Sequence, residues 1–89
     1  MREPATAVRY AKLAVEKSEG KDSATLDLLA QAYDRNADPA NAVDTEEKAL
    51  AVFPADGQAS VRKSMESRLA KFRAARTAGK SPVAKTTNQ

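Results

Sequence analysis

Residues 26–54 of this 89-residue chain have the sequence LDLLAQAYDRNADPANAVDTEEKALAVFP. Apolar and small side chains recur in this stretch at intervals of three and four residues, first over 26–33 and again over 42–53. This spacing is typical of amphipathic helices. Asp38-Pro39 separates the two segments and is a common start for a helix. We therefore predict two helices that are joined by a short turn.

A second copy of this pattern comes into register when the chain is shifted by 35 residues. The aligned pairs include Ala7 with Ala42, Ala14 with Ala49, Leu26 with Val61, and Ala30 with Met65. Most matched positions carry small or apolar side chains, as expected of a repeated packing surface, since exposed positions are free to differ. The pattern favours a helical repeat over roughly residues 5–73. An ordinary three- or four-helix bundle with the same apolar stripes is the alternative.

The predicted fold class is all-α, with about four helices arranged as antiparallel hairpins. The apolar stripes place these helices at about residues 4–18, 23–36, 38–53 and 58–76. No segment alternates for long enough with the period of two that indicates a strand. The last helix is expected to cap the array, because charged side chains surround its stripe of Val61, Met65, Leu69 and Phe72. Residues 1–76 thus form the predicted domain, and residues 77–89 a basic, disordered tail.

Local signals predict where some of these helices begin and end. Asp22 or Ser23 is a suitable N-cap for the second helix, and Asp56 is a suitable cap for the last one. Gly20 follows the first helix and can adopt the left-handed conformation that often ends a helix.

The chain resembles the tetratricopeptide repeat (TPR) family through Leu26, Leu29, Ala30, Tyr33, Ala42, Ala49 and Pro54. The resemblance corresponds to one complete repeat flanked by half-repeats. The chain departs from the family pattern at Glu46 and Ala11, where a large aromatic residue is usual, and at Ala37, where glycine is usual. Terminal TPR pairs of this kind resemble those appended to bacterial enzymes and carrier proteins. Because the chain opens on what would be the second helix of a TPR, the resemblance also implies a C-terminal segment of a larger protein.

The TPR resemblance also implies a function, because such units generally bind a protein or peptide along the concave face lined by their first helices. The register implies that this partner-binding face carries Asp27, Gln31, Asp34, Arg35, Arg62 and Glu66. TPRs that bind the carboxylate end of chaperone tails use a clamp of Lys and Asn at such positions. Asp27 and Gln31 replace them here, so we expect no clamp of that kind.

The first helix suggests a different function, which is self-association. Its apolar stripe comprises Ala7, Tyr10, Ala11, Ala14 and Val15. The face around Ala7, Ala11 and Ala14 would lack a helix packed on its upstream side, whereas repeat arrays need covered ends. A homodimer formed through this helix is therefore the main alternative to a scaffold that binds another protein.

The distribution of charge raises nucleic acid as a third, less favoured partner. The net charge is +3, but residues 1–57 hold 7 basic and 11 acidic side chains, whereas residues 58–89 hold 8 basic and 1 acidic. A basic end favours anionic partners. Aromatic side chains that could stack on bases are missing there, however, except for Phe72, which belongs to the apolar stripe.

The composition argues against catalysis and against a bound cofactor or metal. The chain has no histidine and no cysteine, which removes the usual general base and the commonest metal ligands. The densest acidic group, Asp44, Glu46 and Glu47, is expected mostly on the solvent side of the third helix. No apolar run is long enough to span a bilayer, so a membrane is not an expected partner. We predict a protein that is not an enzyme.

Overall fold

The computed structural model describes residues 4–80, which form four α-helices. These are α1 (Pro4–Lys17), α2 (Ser23–Arg35), α3 (Pro39–Ala51) and α4 (Ala59–Lys80). No strand occurs in this part of the chain, so the predicted all-α fold class is confirmed. Helix α4 continues to Lys80, and the predicted helix end at residue 76 is therefore wrong by four residues. The rest of the predicted tail, residues 81–89, lies outside the described residues.

Two of the helices begin at the caps that the sequence predicts. The Asp22 carboxylate accepts a hydrogen bond from the backbone N–H of Ala24 at 3.2 Å, and the Asp38 carboxylate accepts one from Asn41 at 3.3 Å. Each bond satisfies a backbone donor that the first turn of a helix leaves unpaired. Asp56 does not cap α4, because that helix begins only at Ala59.

Helices α1 and α2 end in the same way, with a residue in the left-handed conformation. Glu19 and Ala37 both have φ of 59°, and Gly20 has φ of 71° as its sequence position predicts. The backbone N–H of Gly20 donates to Val15 at 2.9 Å, and that of Asp38 donates to Tyr33 at 2.9 Å. These bonds pair carbonyl groups that the last turn leaves unsatisfied. Ala37 thus adopts a conformation that favours glycine, at the position where TPRs usually have glycine.

Each helix packs against the next, and α4 also reaches α2. One apolar cluster, Ala30, Ala42, Val43, Leu69 and Phe72, joins α2, α3 and α4. A second, Leu26, Ala49 and Met65, joins the same three helices, and a third, Ala11, Leu29 and Ala32, joins α1 to α2. Alanine supplies many of these contacts, because its small side chain lets helix backbones approach closely.

Two residues assigned to apolar stripes lie outside the core. Tyr10 is 62% exposed and Val61 is 43% exposed. The spacing of apolar residues therefore locates each helix correctly but misplaces the edges of its buried face. None of the helices in the described part of the chain is long and apolar enough to cross a membrane.

Candidate functional site

A groove between α1 and α2 presents apolar side chains to solvent, and we call it the α1/α2 groove. Its volume is about 230 Å³, and it is lined by Ala7, Tyr10, Ala11, Ala14, Leu28, Ala32 and Arg35. Tyr10 and Leu28, at 62% and 55% exposure, are the most exposed large apolar side chains of the described residues. Exposed apolar surface that is gathered in one place is often a site of protein–protein contact.

Helix geometry explains why these residues form one surface. Positions 7, 10, 11 and 14 follow the three- and four-residue spacing of a single face of α1, and positions 28, 32 and 35 do the same on α2. Helix α3 packs on other residues of α2, including Leu26 and Ala30. Small alanine side chains line the bottom of the groove, and the larger, exposed side chains of Tyr10 and Leu28 line its sides.

A larger groove, of about 410 Å³, lies among α1, α2 and α3. Its apolar lining includes Leu26 and Leu29, which are only 4% and 6% exposed because the neighbouring helices already cover them. Its lining also includes Asp44 and Lys48, whose side chains pair at 3.6 Å. The lining of this groove is therefore polar in larger proportion than the lining of the α1/α2 groove.

The predicted partner-binding residue Asp27 is engaged inside the fold. Its carboxylate accepts two hydrogen bonds from Arg68 of α4, from Nε at 2.9 Å and from Nη2 at 2.8 Å. Gln31 donates a third hydrogen bond to it at 3.2 Å. Such a bidentate pair is among the stronger polar contacts in proteins. Asp27 therefore braces α2 against α4.

Of the other predicted binding residues, Gln31 contacts Asp27, whereas two residues of α4 form a pair of their own. Arg62 and Glu66 pair with each other on α4 at 3.2 Å, and the Arg62 guanidinium also lies 5.9 Å from the centre of the Phe53 ring. Asp34 is exposed on α2, and Arg35 lines the α1/α2 groove instead. Of the six predicted binding residues, Arg35 alone lines the α1/α2 groove.

Glu46 was expected mostly on the solvent side of α3, and this prediction is wrong. Its side chain is 0% exposed, while Asp44 and Glu47 are exposed as predicted. Residues 42, 46 and 49 share the inner face of α3, so Glu46 occupies a core position. The TPR pattern contained this signal, because Glu46 stands where the family has a large buried aromatic residue.

The buried Glu46 carboxyl lies beside the pair formed by Asp27 and Arg68. As a carboxylate, it has no hydrogen-bond donor for either oxygen among the described residues. The pKa of Glu46 is raised from 4.5 to about 8, chiefly by burial and then by a hydrogen bond to Asp27 and the negative charge of Asp27, against the lowering effect of Arg68. A protonated Glu46 can donate its proton to a hydrogen bond with Asp27, which links α3 to α2 and through Arg68 to α4.

This carboxyl group is a structural feature rather than a reactive one. A side chain with no exposed surface cannot contact a substrate from solvent. Among residues 4–80, no group of three or more Asp and Glu side chains is arranged to hold a metal ion.

Three arginine side chains of the basic helix α4 are engaged within the fold. Arg62, Arg68 and Arg73 each pair with a carboxylate of the chain itself. Phe72 is only 4% exposed, so its ring is not available to stack on a base. These contacts leave fewer positive charges for phosphate groups than the sequence suggests.

Comparison with known proteins identifies no relative of this chain. No family model matches the sequence, and no match was found among curated proteins or solved structures.

Proposed function

We propose that this chain is a protein-interaction module of the TPR type, which binds a partner protein through the α1/α2 groove. The observation that supports this proposal is the exposed apolar lining of the groove, in which Tyr10 and Leu28 lie within one concave surface. Burying such surface against a partner is favourable by about 25 cal/mol per Å². Leu13, which is 48% exposed on α1, adds to the apolar surface of that helix.

The groove is a better candidate than the six side chains that the TPR resemblance implies. Asp27 is held by Arg68 and Gln31, and Arg62 is held by Glu66. A peptide that used these groups would have to replace contacts within the chain. The side chains that line the groove, in contrast, form no such hydrogen bond or ion pair with any residue from 4 to 80.

The proposal is tested by comparing two matched substitutions in the full chain. Leu28→Lys places a charge in the groove, whereas Val61→Lys places the same charge at an exposed apolar position on α4. Affinity capture from cells, quantified by mass spectrometry, should recover a partner with the original chain and with the Val61 variant, but not with the Leu28 variant. If the three chains capture the same set of proteins, the groove is not the binding site and the proposal is wrong.

Self-association is the second candidate function, because the same apolar groove could be covered by a second copy of the chain. Light scattering coupled to size-exclusion chromatography over a concentration series measures this directly. A dimer that Leu28→Lys dissociates and Val61→Lys does not would favour self-association over a scaffold role.

A further inference from the structure

The internal repeat contains a covered counterpart of the α1 side of the open groove, whereas the counterparts of its α2 side, Lys63, Ser67 and Ala70, are exposed on α4. The shift of 35 residues that aligns the two copies places α1 on α3 and α2 on α4. Under this shift, the groove residues Ala7, Tyr10, Ala11 and Ala14 correspond to Ala42, Thr45, Glu46 and Ala49. All four residues on α3 are at most 7% exposed.

Helix α2 is the element that covers this face of α3 together with α4. Ala42 clusters with Ala30 of α2, and Ala49 clusters with Leu26 of α2. In the first copy, α2 packs against α1 as α4 packs against α3 in the second copy. No helix among the described residues lies on α1 in the way that α2 lies on α3. The face of α1 that corresponds to the covered face of α3 is therefore open.

We propose that the α1/α2 groove binds an amphipathic helix of a partner protein, packed against the face of α1 that corresponds to the covered face of α3, with an acidic side chain of that helix beside Arg35. This inference rests on the proposed function and specifies its partner. The template for the apolar stripe of the ligand is α2 itself, in which Leu26, Leu29, Ala30 and Tyr33 recur at three- and four-residue spacing.

Ala11, at the bottom of the groove, indicates that the bound helix contacts the groove with an entirely apolar stripe. Ala11 stands where the second copy has Glu46. The buried carboxyl that contacts Asp27 of α2 therefore has no equivalent in the groove. The ligand needs no polar side chain at its centre, and a small or aliphatic residue fits against Ala11.

Charge distinguishes an acidic helix from a second copy of the chain as the occupant. Arg35 is the one charged residue among those that line the groove, and it forms no ion pair with any of the described residues. In a two-fold symmetric dimer, both copies present the same surface. In such a dimer, the groove of one copy would meet a second Arg35 and no carboxylate from the groove lining of the other copy. An acidic helix, in contrast, supplies a carboxylate that can pair with Arg35.

The test uses two synthetic helical peptides and the full chain of 89 residues. Both peptides carry the same stripe of leucine and alanine, and they differ only in having Glu or Lys at the position flanking the stripe. Fluorescence anisotropy at low salt measures their affinities. We expect the Glu peptide to bind about two- to fivefold more tightly, which is the usual contribution of an exposed ion pair. Arg35→Glu should reverse this preference.

Two further variants show where the peptides bind. Leu28→Lys should weaken both peptides by about fivefold or more, because a half-exposed leucine can no longer be buried on binding. Val61→Lys should leave both affinities unchanged. Leu28, Arg35 and Val61 are all exposed, and circular dichroism should show that each variant retains its helices.

Each contrary result overturns the inference in a recognisable way. Equal affinities for the two peptides, or a preference that Arg35→Glu does not change, would show that the groove does not select an acidic helix. If neither peptide binds at about 1 mM, the free energy of binding is weaker than about −4 kcal/mol. The groove would then not be a site for a helix of this kind. If cellular capture remains sensitive to Leu28→Lys, only the identity of the ligand is wrong, whereas loss of that sensitivity overturns the proposed function as well.

Discussion

Replacing Glu46 by Gln should stabilise the folded chain at neutral pH. The pKa of Glu46 is about 8 in the fold because of its burial and the neighbouring Asp27, whereas its ordinary value is 4.5. Between these two values, unfolding releases the proton that the folded chain holds. The contribution of Glu46 to stability is therefore fully present below pH 4.5, and it is lost as the pH rises through about 8.

The magnitude follows from the distance between pH 7 and the ordinary pKa. This interval is about 2.5 pH units, and each unit corresponds to about 1.4 kcal/mol. At pH 7 the unfolded chain is thus favoured by up to about 3 kcal/mol through ionisation of this one group. Glutamine has nearly the shape of protonated glutamate and can donate an N–H to Asp27, but it cannot ionise. The substitution should therefore raise the free energy of unfolding by up to about 3 kcal/mol at pH 7, and by only about 1 kcal/mol at pH 5.

Urea unfolding followed by circular dichroism at pH 5, 6, 7 and 8 measures this difference. Glu47→Gln is the matched control, because Glu47 is exposed on the same helix and pairs only with the exposed Arg73. That control should change the free energy of unfolding by less than about 1 kcal/mol. The reasoning is refuted if Glu46→Gln destabilises the chain at pH 7, or if the difference between the two chains is the same at pH 5 and pH 8.

Three further substitutions test other contacts of the fold by the same unfolding measurement. Arg68→Ala should cost about 2–3 kcal/mol, because it leaves the largely buried Asp27 carboxylate without its bidentate partner; a loss below about 0.5 kcal/mol would show that the pair is not formed. Ala37→Gly should stabilise by up to about 1 kcal/mol, since it relieves a left-handed alanine; destabilisation would contradict that conformation. Gly57→Ala should destabilise, because the new Cβ would lie 2.6 Å from Cε2 of Phe53; an unchanged melting temperature would mean that the ring does not lie there.

The sequence predicts the helices well because their signals are local. Asp22 and Asp38 lie next to the residues whose backbone donors they cap, and the apolar spacing of each helix lies within the helix itself. The end of α4 is predicted less well, because residues 77–80 have no apolar stripe and continue the helix as an extension of the preceding turns.

The burial of Glu46 could not be derived from local pattern. A carboxylate on a helix indicates a solvent-facing position unless its partners are known. Asp27 and Arg68 come from α2 and α4, and only the packing of three helices brings them beside Glu46.

The candidate site was predicted in part. The sequence identified the face of α1 around Ala7, Ala11 and Ala14 as one without an upstream helix, and these residues line the groove. It did not connect them with Leu28 and Arg35 of α2. That connection depends on how α1 and α2 pack together, which residue spacing alone does not specify.

The central claim, that a partner binds in the α1/α2 groove, is tested most directly by photo-crosslinking in cells. A photoreactive amino acid is placed in the full chain at position 28, in the groove, or at position 61, on an exposed apolar site of α4. We expect a crosslinked partner protein from position 28 and none from position 61. Crosslinks from position 61 alone, identical products from both positions, or no product from position 28 would contradict it.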